Sequence, residues 1–316
     1  MGLKELIKAK AIELGLDAVG VAPAKIGPHE AERLMAWIGR NRLECLSFIG
    51  RGLKARLDPC VLLPGASSVI VVGLAFKPQA LPAKPTGLFE GRVAIYALYQ
   101  DYHKVLKQAL RQLATFMLEV AGRPGKFKLC VDSSAVMERT MAVQAGLGFI
   151  CRNYMLANPL LGPAIFLGEI ITDLKLEPDP PAGGKCLGCM RCVSACPTGA
   201  IQADGFYATR CINTWTIEHN GPLPTEIATA MADRLYGCDD CITACPLYQK
   251  APASHGQLLK PVYGRRWIDL DYVLGMTSEQ FEQLAAGSVI HRIGLDRLRR
   301  NAMACLQNMR GGKGPA

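Results

Sequence analysis

Hydrophobic and polar residues alternate along this chain in two distinct patterns. Apolar side chains recur every three or four positions over residues 3–14 and 102–120, which is the spacing of one face of a helix. Continuous apolar runs, SVIVVGLAF at 68–76 and FKLCV at 127–131, are typical of buried strands. These patterns predict a region of mixed helices and strands over residues 1–175.

Other stretches of the chain fit neither the helical pattern nor the strand pattern, and they mark the boundaries between its regions. The proline-rich run KPQALPAKPTGLFEG at 77–91 predicts a loop, either a lid over a site or a surface connection, and LEPDPPAGG at 176–184 predicts a linker. A cysteine-rich region follows at 185–250, and a basic, helical segment occupies 251–316. The fold class is therefore predicted as α+β, with a larger N-terminal domain, a small cysteine-rich domain and a short helical C-terminus.

Composition and charge narrow the class of protein. No apolar run reaches the roughly 18 residues that a membrane helix needs, and Lys4, Glu5, Lys8 and Lys10 rule out a signal peptide at the start. We therefore expect a cytoplasmic protein with no membrane partner, and a monomer. The net charge of +9 favours a polyanionic partner without proving one.

Cysteines carry the most specific signal. CMRCVSACP gives the spacing Cys189-x2-Cys192-x3-Cys196-Pro, and CDDCITACP repeats it as Cys238-x2-Cys241-x3-Cys245-Pro. This is the arrangement of two-cluster bacterial ferredoxins, in which the cysteine before proline binds the other cluster. The predicted ligands of one 4Fe–4S cluster are Cys186, Cys189, Cys192 and Cys245. The predicted ligands of the second are Cys196, Cys211, Cys238 and Cys241.

Two other interpretations of these cysteines stay open at this point. Structural zinc sites also use four cysteines, but they rarely show this proline-terminated repeat. A plain electron-carrier ferredoxin would need the clusters alone, and it would not need the large domain that precedes them. The remaining cysteines, at positions 45, 60, 130, 151 and 305, lack ligand spacing and are expected to be buried apolar residues.

Longer motifs resemble a known family. The stretch VDSSAVMERTMAVQAGLGFICRNYMLANPLLGPAIFLGEIITDLKL, the later RCINTWTIEHNGPLP and YGCDDCITACP, and the upstream GRVAIYALYQDYHKVL are similar to epoxyqueuosine reductases, over roughly residues 3–310. The resemblance implies an N-terminal cobalamin-binding domain with a nitroreductase-like fold, followed by the two 4Fe–4S clusters. It implies reduction of epoxyqueuosine to queuosine at the wobble position of tRNA, fed by an external low-potential electron donor.

The same resemblance suggests site residues. Asp132, at the end of the predicted strand FKLCV, matches the family's proton donor, and burial beside the corrin would have to raise its pKa; otherwise Asp132 only caps a helix that begins near Ser133. Asp101 and His103 are expected either near the site or as a helix cap and a surface histidine. Glu138 and Arg139 are expected to form a buried ion pair. The predicted cobalamin contacts are Arg56, Asp132, Asn153, Tyr154, Asn213 and Thr216.

Some positions depart from the family pattern. Cys151-Arg152-Asn153-Tyr154 stands where the family usually has Gly-Lys-Asn-Thr, and Gly162-Pro163-Ala164 replaces a usual Gly-Ser. Both changes are expected in the wall of the cofactor or substrate pocket. A cobalamin-dependent reductase of a small organic electrophile, similar to reductive dehalogenases, is therefore the alternative function. If tRNA is the substrate, basic residues are expected to hold its phosphates: Arg265, Arg266, Arg292, Arg297, Arg299, Arg300, Arg310 and Lys313.

Overall fold

The computed structural model describes residues 2–86 and 89–311. The α-helices of this part of the chain are α1 (Leu3–Glu13), α2 (Pro28–Arg40), α3 (Ser47–Arg51), α4 (Leu53–Leu57), α5 (Tyr102–Val120), α6 (Glu138–Gln144), α7 (Arg191–Ser194), α8 (Thr225–Met231), α9 (Asp240–Thr243), α10 (Pro246–Lys250), α11 (Leu270–Gly275), α12 (Ser278–Ala285) and α13 (Gly294–Arg310). The strands are β1 (Ala18–Pro23), β2 (Ser68–Ala75), β3 (Glu90–Val93), β4 (Phe127–Cys130), β5 (Phe149–Ile150), β6 (Leu156–Ala157), β7 (Ile165–Thr172), β8 (Arg234–Tyr236) and β9 (Trp267–Asp269).

The elements predicted from periodicity are confirmed. The apolar stripe at 102–120 forms α5, whose first turn is capped by the Asp101 carboxylate, and the stripe at 3–14 forms α1. The apolar runs form β2 and β4. The loop at 77–91 contains residues 87 and 88, which lie outside the described residues, and it leads into β3. Trp267 Nε1 donates to the Pro82 carbonyl at 3.0 Å, which fastens this loop to β9.

The main sheet is antiparallel throughout, with the strand order β1-β2-β7-β4. Successive side chains of each strand point to opposite faces of this sheet. Ile70 and Val72 of β2 face the larger core, which also contains Leu106 and Leu110 of α5. Val69 and Val71 face a smaller core under α6. The sheet is thus covered on both sides, which explains why β2 and β7 are buried along their whole length.

A second, three-stranded sheet joins distant parts of the chain. Strand β3 pairs in parallel with β8 and antiparallel with β9. The predicted N-terminal domain therefore shares a sheet with the cysteine-rich region and with the C-terminal segment, and the three parts contribute to one large hydrophobic core. The predicted boundaries at 175, 184 and 250 stay a prediction.

Helix α13 packs on β8 and on a π-helix at Thr214–Glu218. Asn301 is fully buried, and its Nδ2 donates to the carbonyls of Thr216 and Leu235 at 3.0 Å each. The Arg300 guanidinium donates to the carbonyls of Trp215, His219 and Gly221 at 2.7 Å each. A π-helix leaves its terminal carbonyls without the usual helical donors, and α13 supplies them.

The predicted linker at 176–184 contains no helix or strand, but hydrogen bonds and ion pairs fix its position. The Asp179 carboxylate accepts from Val21 N and Lys8 Nζ at 2.9 Å and lies 3.3 Å from Lys4 Nζ. Within residues 2–86 and 89–311, no helix has both the length and the apolar character to cross a bilayer.

Gly20 in β1 yields a stability prediction. A Cβ at this position would lie 1.9 Å from the Ala145 carbonyl oxygen and 2.7 Å from Leu147 Cδ1, and the backbone oxygen cannot move aside alone. We expect Gly20→Ala to lower the free energy of unfolding by about 2–4 kcal/mol, measured by urea denaturation. Gly39→Ala is the control, because nothing lies within 4 Å of its Cβ position in α2, and helix propensity should make this change neutral or slightly stabilising. Equal effects of the two substitutions would contradict the close packing at Gly20.

Candidate functional site: two thiol quartets beside a histidine–aspartate relay

The first predicted quartet of cysteines surrounds a cavity. Cys186, Cys189, Cys192 and Cys245 line one cavity together with Pro246 and Leu247. The short helices α7 and α9, which carry the two C-x2-C repeats, contact each other. This contact places the cysteine before Pro246 opposite the first repeat, as the ferredoxin pattern requires.

The four cysteines of the second predicted quartet are all partly buried. Burial raises the pKa of the Cys241 thiol well above its usual value, and the neighbouring thiols of Cys211, Cys238 and Cys196 raise it further. These four sulfur atoms are therefore close to one another. In each quartet one sulfur also accepts a backbone N–H, from Ala200 to Cys196 at 3.2 Å and from Arg152 to Cys186 at 3.4 Å. Such bonds favour the thiolate, which is the form that binds iron.

The first quartet stands around a cavity. Soft thiolates spaced around a cavity suit a cluster that is itself several ångströms across.

A polar group lies on the neighbouring α/β surface, where β4 ends and α5 begins. Asp132 follows β4 in a left-handed backbone conformation, with φ of 52°, and its side chain is 41% exposed. His103 Nε2 lies 3.1 Å from Asp132 Oδ2, and His103 Nδ1 lies 2.7 Å from Asp101 Oδ1. The imidazole thus bridges two carboxylates. Tyr102 stacks on the imidazole with ring centres 4.1 Å apart and on Phe166 at the same distance, which fixes the ring.

Comparison with known proteins identifies the chain at this point. Residues 56–133 match the family described as epoxyqueuosine reductase QueG, DUF1730, and residues 185–248 match the 4Fe-4S double cluster binding domain. The chain is 33% identical to an epoxyqueuosine reductase of Vibrio cholerae over 97% of this chain and 83% of that protein. It is 34% identical to an epoxyqueuosine reductase of Leadbetterella byssophila over 93% and 95%. The chain belongs to the epoxyqueuosine reductase family.

Solved structures of epoxyqueuosine reductases agree with this fold. The structure of the Streptococcus thermophilus protein superposes with a TM-score of 0.86 at 27% identity, covering 99% of this chain and 83% of that one. A Bacillus subtilis epoxyqueuosine reductase, whose catalytic aspartate loop is swung out of the active site, gives 0.88 at 29% identity, over 98% and 82%. A third structure, of an epoxyqueuosine reductase with an epoxyqueuosine-modified tRNA stem loop, gives 0.86 at 29% identity, over 98% and 82%. The predicted family, α+β fold and two 4Fe–4S clusters are thereby confirmed.

The surroundings of Asp132 within the protein favour its ionised form. Burial raises the pKa of Asp132, but the hydrogen bond and positive charge of His103, together with the charge of Arg292, outweigh it and hold the pKa below its usual range. Burial also opposes the charge on His103, yet its hydrogen bonds to Asp132 and Asp101 raise the pKa of the imidazole above its usual value. Of these two side chains the imidazole is therefore the stronger base, and the higher pKa of Asp132 expected beside the corrin stays a prediction.

The helix-cap alternative for Asp132 is wrong. Helix α6 begins only at Glu138, with Met137 as its N-cap residue. Asp132 N instead donates to Glu138 Oε1 at 2.5 Å. Asp101, by contrast, fulfils both of its expected roles, since it caps α5 through His103 N at 3.0 Å and contacts the imidazole.

The expected ion pair between Glu138 and Arg139 does not form. Both residues are described, and Arg139 Nη1 donates to the Tyr154 carbonyl at 2.9 Å. Glu138 lies under Asp132, where burial first and the Asp132 charge second raise its pKa to about 7. Glu169 of β7 is fully buried beside them, and neither of its carboxylate oxygens has a partner among the described residues. Burial and the charges of Glu138 and Asp132 raise the pKa of Glu169 well above its usual value, which favours its neutral form.

Arg56 and Tyr154 lie at this site as the family resemblance implies. Arg56 Nη1 donates to the Val136 carbonyl at 3.0 Å, and its buried Nε has no partner among the described residues. Burial lowers the pKa of Arg56, while the charges of Glu138 and Asp132 act against that shift. Tyr154 has a φ of 62° and packs on Phe206 with ring centres 5.8 Å apart. Their contact with cobalamin stays a prediction.

Asn153, Asn213 and Thr216 hold the loops of the second cysteine quartet. Asn153 Nδ2 donates to the Cys241 carbonyl at 2.9 Å, and Asn213 Oδ1 accepts from Cys238 N at 2.7 Å. The fully buried Thr216 hydroxyl donates to the Ile212 carbonyl at 2.8 Å and accepts from Gly237 N at 3.2 Å. These bonds show a cluster-supporting role, and the predicted contact of the three residues with cobalamin stays a prediction.

The departures from the family pattern border the first quartet. Cys151 is buried and lines the same cavity as Cys186, and Arg152 Nη2 donates to the Gln202 carbonyl at 3.1 Å. Gly162 lies against the backbone of Leu247, two residues after Cys245. The substitutions therefore alter the surroundings of a cluster, whereas the sequence suggested a wall of the cofactor or substrate pocket.

Most of the C-terminal arginines expected to hold phosphate are bound within the protein, and their contact with phosphate stays a prediction. Their guanidinium groups donate to backbone carbonyls of the protein, and Arg266 is also buried beside Asp239. The arginines bound in this way are Arg265, Arg266, Arg297, Arg299 and Arg300. Arg310 faces Asp271 at 3.3 Å, and Lys313 lies outside the described residues.

Sequence reasoning missed three functional neighbours of Asp132. Arg292 Nη1 lies 3.8 Å from Asp132 Oδ2, and its Nη2 donates to Glu218 at 2.8 Å. Tyr102 orients His103. A signal existed only for Glu169, because a carboxylate in the middle of the apolar run IFLGEIIT needs a reason to be buried.

The bridge over His103 generates a pH prediction. We expect the NMR titration of the His103 ring protons to give a pKa above that of an unperturbed histidine, because two carboxylates stabilise the imidazolium. Asp132→Asn removes one of these charges and should lower the pKa of His103. Asp271→Asn, on an exposed and distant carboxylate, is the control and should leave it unchanged. An unaltered His103 titration in Asp132→Asn would contradict the relay.

The cysteine assignment generates a second prediction. Cys192→Ser removes a ligand of the first quartet, so chemical iron analysis should show a loss of about four of about eight irons per chain. Cys151→Ser changes a thiol that lines the same cavity but is not a predicted ligand, and it should keep all of the iron. Iron loss from Cys151→Ser would mean that the first quartet is wrongly assigned.

Proposed function

We propose that this protein reduces the epoxide of epoxyqueuosine in tRNA to give queuosine, with two 4Fe–4S clusters and a bound cobalamin. The observation that carries the proposal is the position of the acid site beside the second thiol quartet. Arg292 contacts both Asp132 and Glu218, and Glu218 ends the π-helix that follows Cys211. Arg139 also links the acid site to the second thiol quartet. It follows Glu138 in α6, and its charge acts on the Cys211 thiol.

Family membership supports the substrate. One family member has been solved with an epoxyqueuosine-modified tRNA stem loop, and this chain shares its fold over nearly its whole length. A wobble base must leave the anticodon stack to reach such a site. The exposed, cationic Arg292 and Arg139 beside Asp132 suit the approach of a phosphate-bearing strand.

The chemistry of the reaction requires two electrons and two protons. The carbon–oxygen bonds of the epoxide break, an alkene forms, and the oxygen leaves as water. Bound cobalamin would supply low-valent cobalt chemistry to this reduction, with single electrons from the clusters. The eight cysteines of the two quartets would hold those clusters, and Arg56 and Tyr154 would hold the corrin.

Protons come from this chain's own residues. His103 holds a proton at Nε2 against Asp132, and Asp132 is exposed toward the open face of the site. Transfer through Asp132 to the epoxide oxygen neutralises the charge that develops as the bond breaks. Asp101 then keeps the imidazole in place while it takes up the next proton. Tyr102 prevents the ring from turning during this cycle.

Turnover of Asp132→Asn tests the proposal. Incubation with epoxyqueuosine-containing tRNA and a strong reductant, followed by nucleoside mass analysis, should show queuosine with the unmodified protein. Asp132→Asn cannot pass on the proton, and we expect a loss of at least about 100-fold in rate, with iron and cobalamin content retained. Asp271→Asn serves as the control, with unchanged rate. Full activity of Asp132→Asn would remove Asp132 from the mechanism, and absence of queuosine with the unmodified protein would refute the substrate.

A further inference from the structure

The two thiol quartets differ in their access to solvent. Of the eight predicted ligands, Cys189 alone is exposed, while the other seven are partly or fully buried. Around it runs a nearly continuous exposed stretch, residues 183–191. The four cysteines of the second quartet are all partly buried, and Arg139, beside the acid site, acts on the Cys211 thiol. The single exposed ligand therefore marks the first quartet as the place where electrons can enter.

Solvent-exposed apolar side chains lie beside Cys189. Leu187 is 57% exposed and Met190 is 43% exposed, and both also line the cavity of the first quartet. A backbone φ of 58° at Met190 and of 64° at Gly188 turns the chain so tightly that these side chains project on either side of the exposed cysteine. Nothing lies within 4 Å of the Cβ position of Gly188, so the surface here is uncovered.

Two cations flank this apolar spot. Lys185 and Arg191 are exposed, and within the described residues neither forms an ion pair or a side-chain hydrogen bond. This separates them from the arginines of α13, which are bound to backbone carbonyls. We name the surface formed by Lys185, Leu187, Cys189, Met190 and Arg191 the entry face.

We infer that the entry face is the docking surface for a small acidic protein that carries one electron at a time. An apolar centre with a charged rim is the usual composition of a protein interface. Transient electron-transfer complexes bury areas at the low end of protein interfaces, and the entry face would form the centre of such a contact. Cationic rims accelerate the encounter with an acidic partner far more than they increase its affinity.

The step itself is balanced. In each encounter the reduced carrier loses one electron, the first cluster gains it, and no bond forms or breaks. The inference rests on the clusters of the proposed function and on no property of the tRNA substrate.

The test measures reduction of the clusters directly. Stopped-flow bleaching of the cluster absorbance is followed after mixing with a bacterial flavodoxin in its hydroquinone state, an acidic one-electron carrier. We expect the double substitution Lys185→Glu with Arg191→Glu to lower the second-order rate constant by about tenfold at low ionic strength. The difference should vanish at about 0.5 M salt, where exposed charges are screened.

The matched control reverses the same charges elsewhere. Lys107→Glu with Arg111→Glu, on the exposed face of α5, changes the net charge equally and should leave the rate constant within about twofold, because steering depends on where the charges lie. Leu187→Ser should slow reduction at every salt concentration, since it removes apolar contact and no charge. All variants are checked for full iron content and for an unchanged rate of reduction by dithionite, which needs no docking.

Other outcomes overturn the inference. Equal rates for the entry-face variant and the unmodified protein would show that the carrier docks elsewhere. Equal slowing by both charge reversals would show a general effect of net charge. Loss of tRNA binding by the entry-face variant, with normal flavodoxin reduction, would assign the face to nucleic acid. Failure of the protein to form queuosine leaves all of these results readable, because cluster bleaching is measured without tRNA.

Discussion

The hydrogen bonds between helix α13 and the segment that follows Cys211 set the geometry of the whole site. Arg297, Arg300 and Asn301 supply donors to the carbonyls of residues 215–217, 219 and 221. Leaving one such buried carbonyl without a donor costs about 1–3 kcal/mol. Because these bonds fix the π-helix, they fix the position of Cys211, which lies just before its start, and of Glu218, its last residue. Arg292, which lies just before α13, connects this segment to Asp132.

Much of this architecture was predictable from local sequence, for identifiable reasons. Ligand spacing within CMRCVSACP and CDDCITACP is a local property, because a cluster demands thiolates at fixed separations. Helix α5 and strand β2 follow from the periodicity of residues that pack on a single core. Asp101 before α5 is a typical N-cap. These features were predictable because the residues that determine each of them lie within one short stretch of the chain.

What local sequence could not show depends on partners far away in the chain. The arginines near residue 300 resemble a phosphate-binding cluster, and only the structure shows the carbonyls some 80 residues earlier to which they donate. The hydrogen bond of Asp132 to His103, 29 residues earlier, likewise has no local signal in the sequence. Glu138 and Glu169 show the reverse case. They lie near a charge of the same sign, and no cation compensates them fully, so burial decides their protonation.

The parallel pairing of β3 with β8 also governs how the chain can be assembled. These strands are separated by about 140 residues, and β9 comes later still, so the second sheet cannot close during synthesis until β9 has left the ribosome. All eight cluster cysteines precede β9 in the chain and emerge before that moment. Their thiols can therefore receive iron and sulfide before the second sheet closes around them.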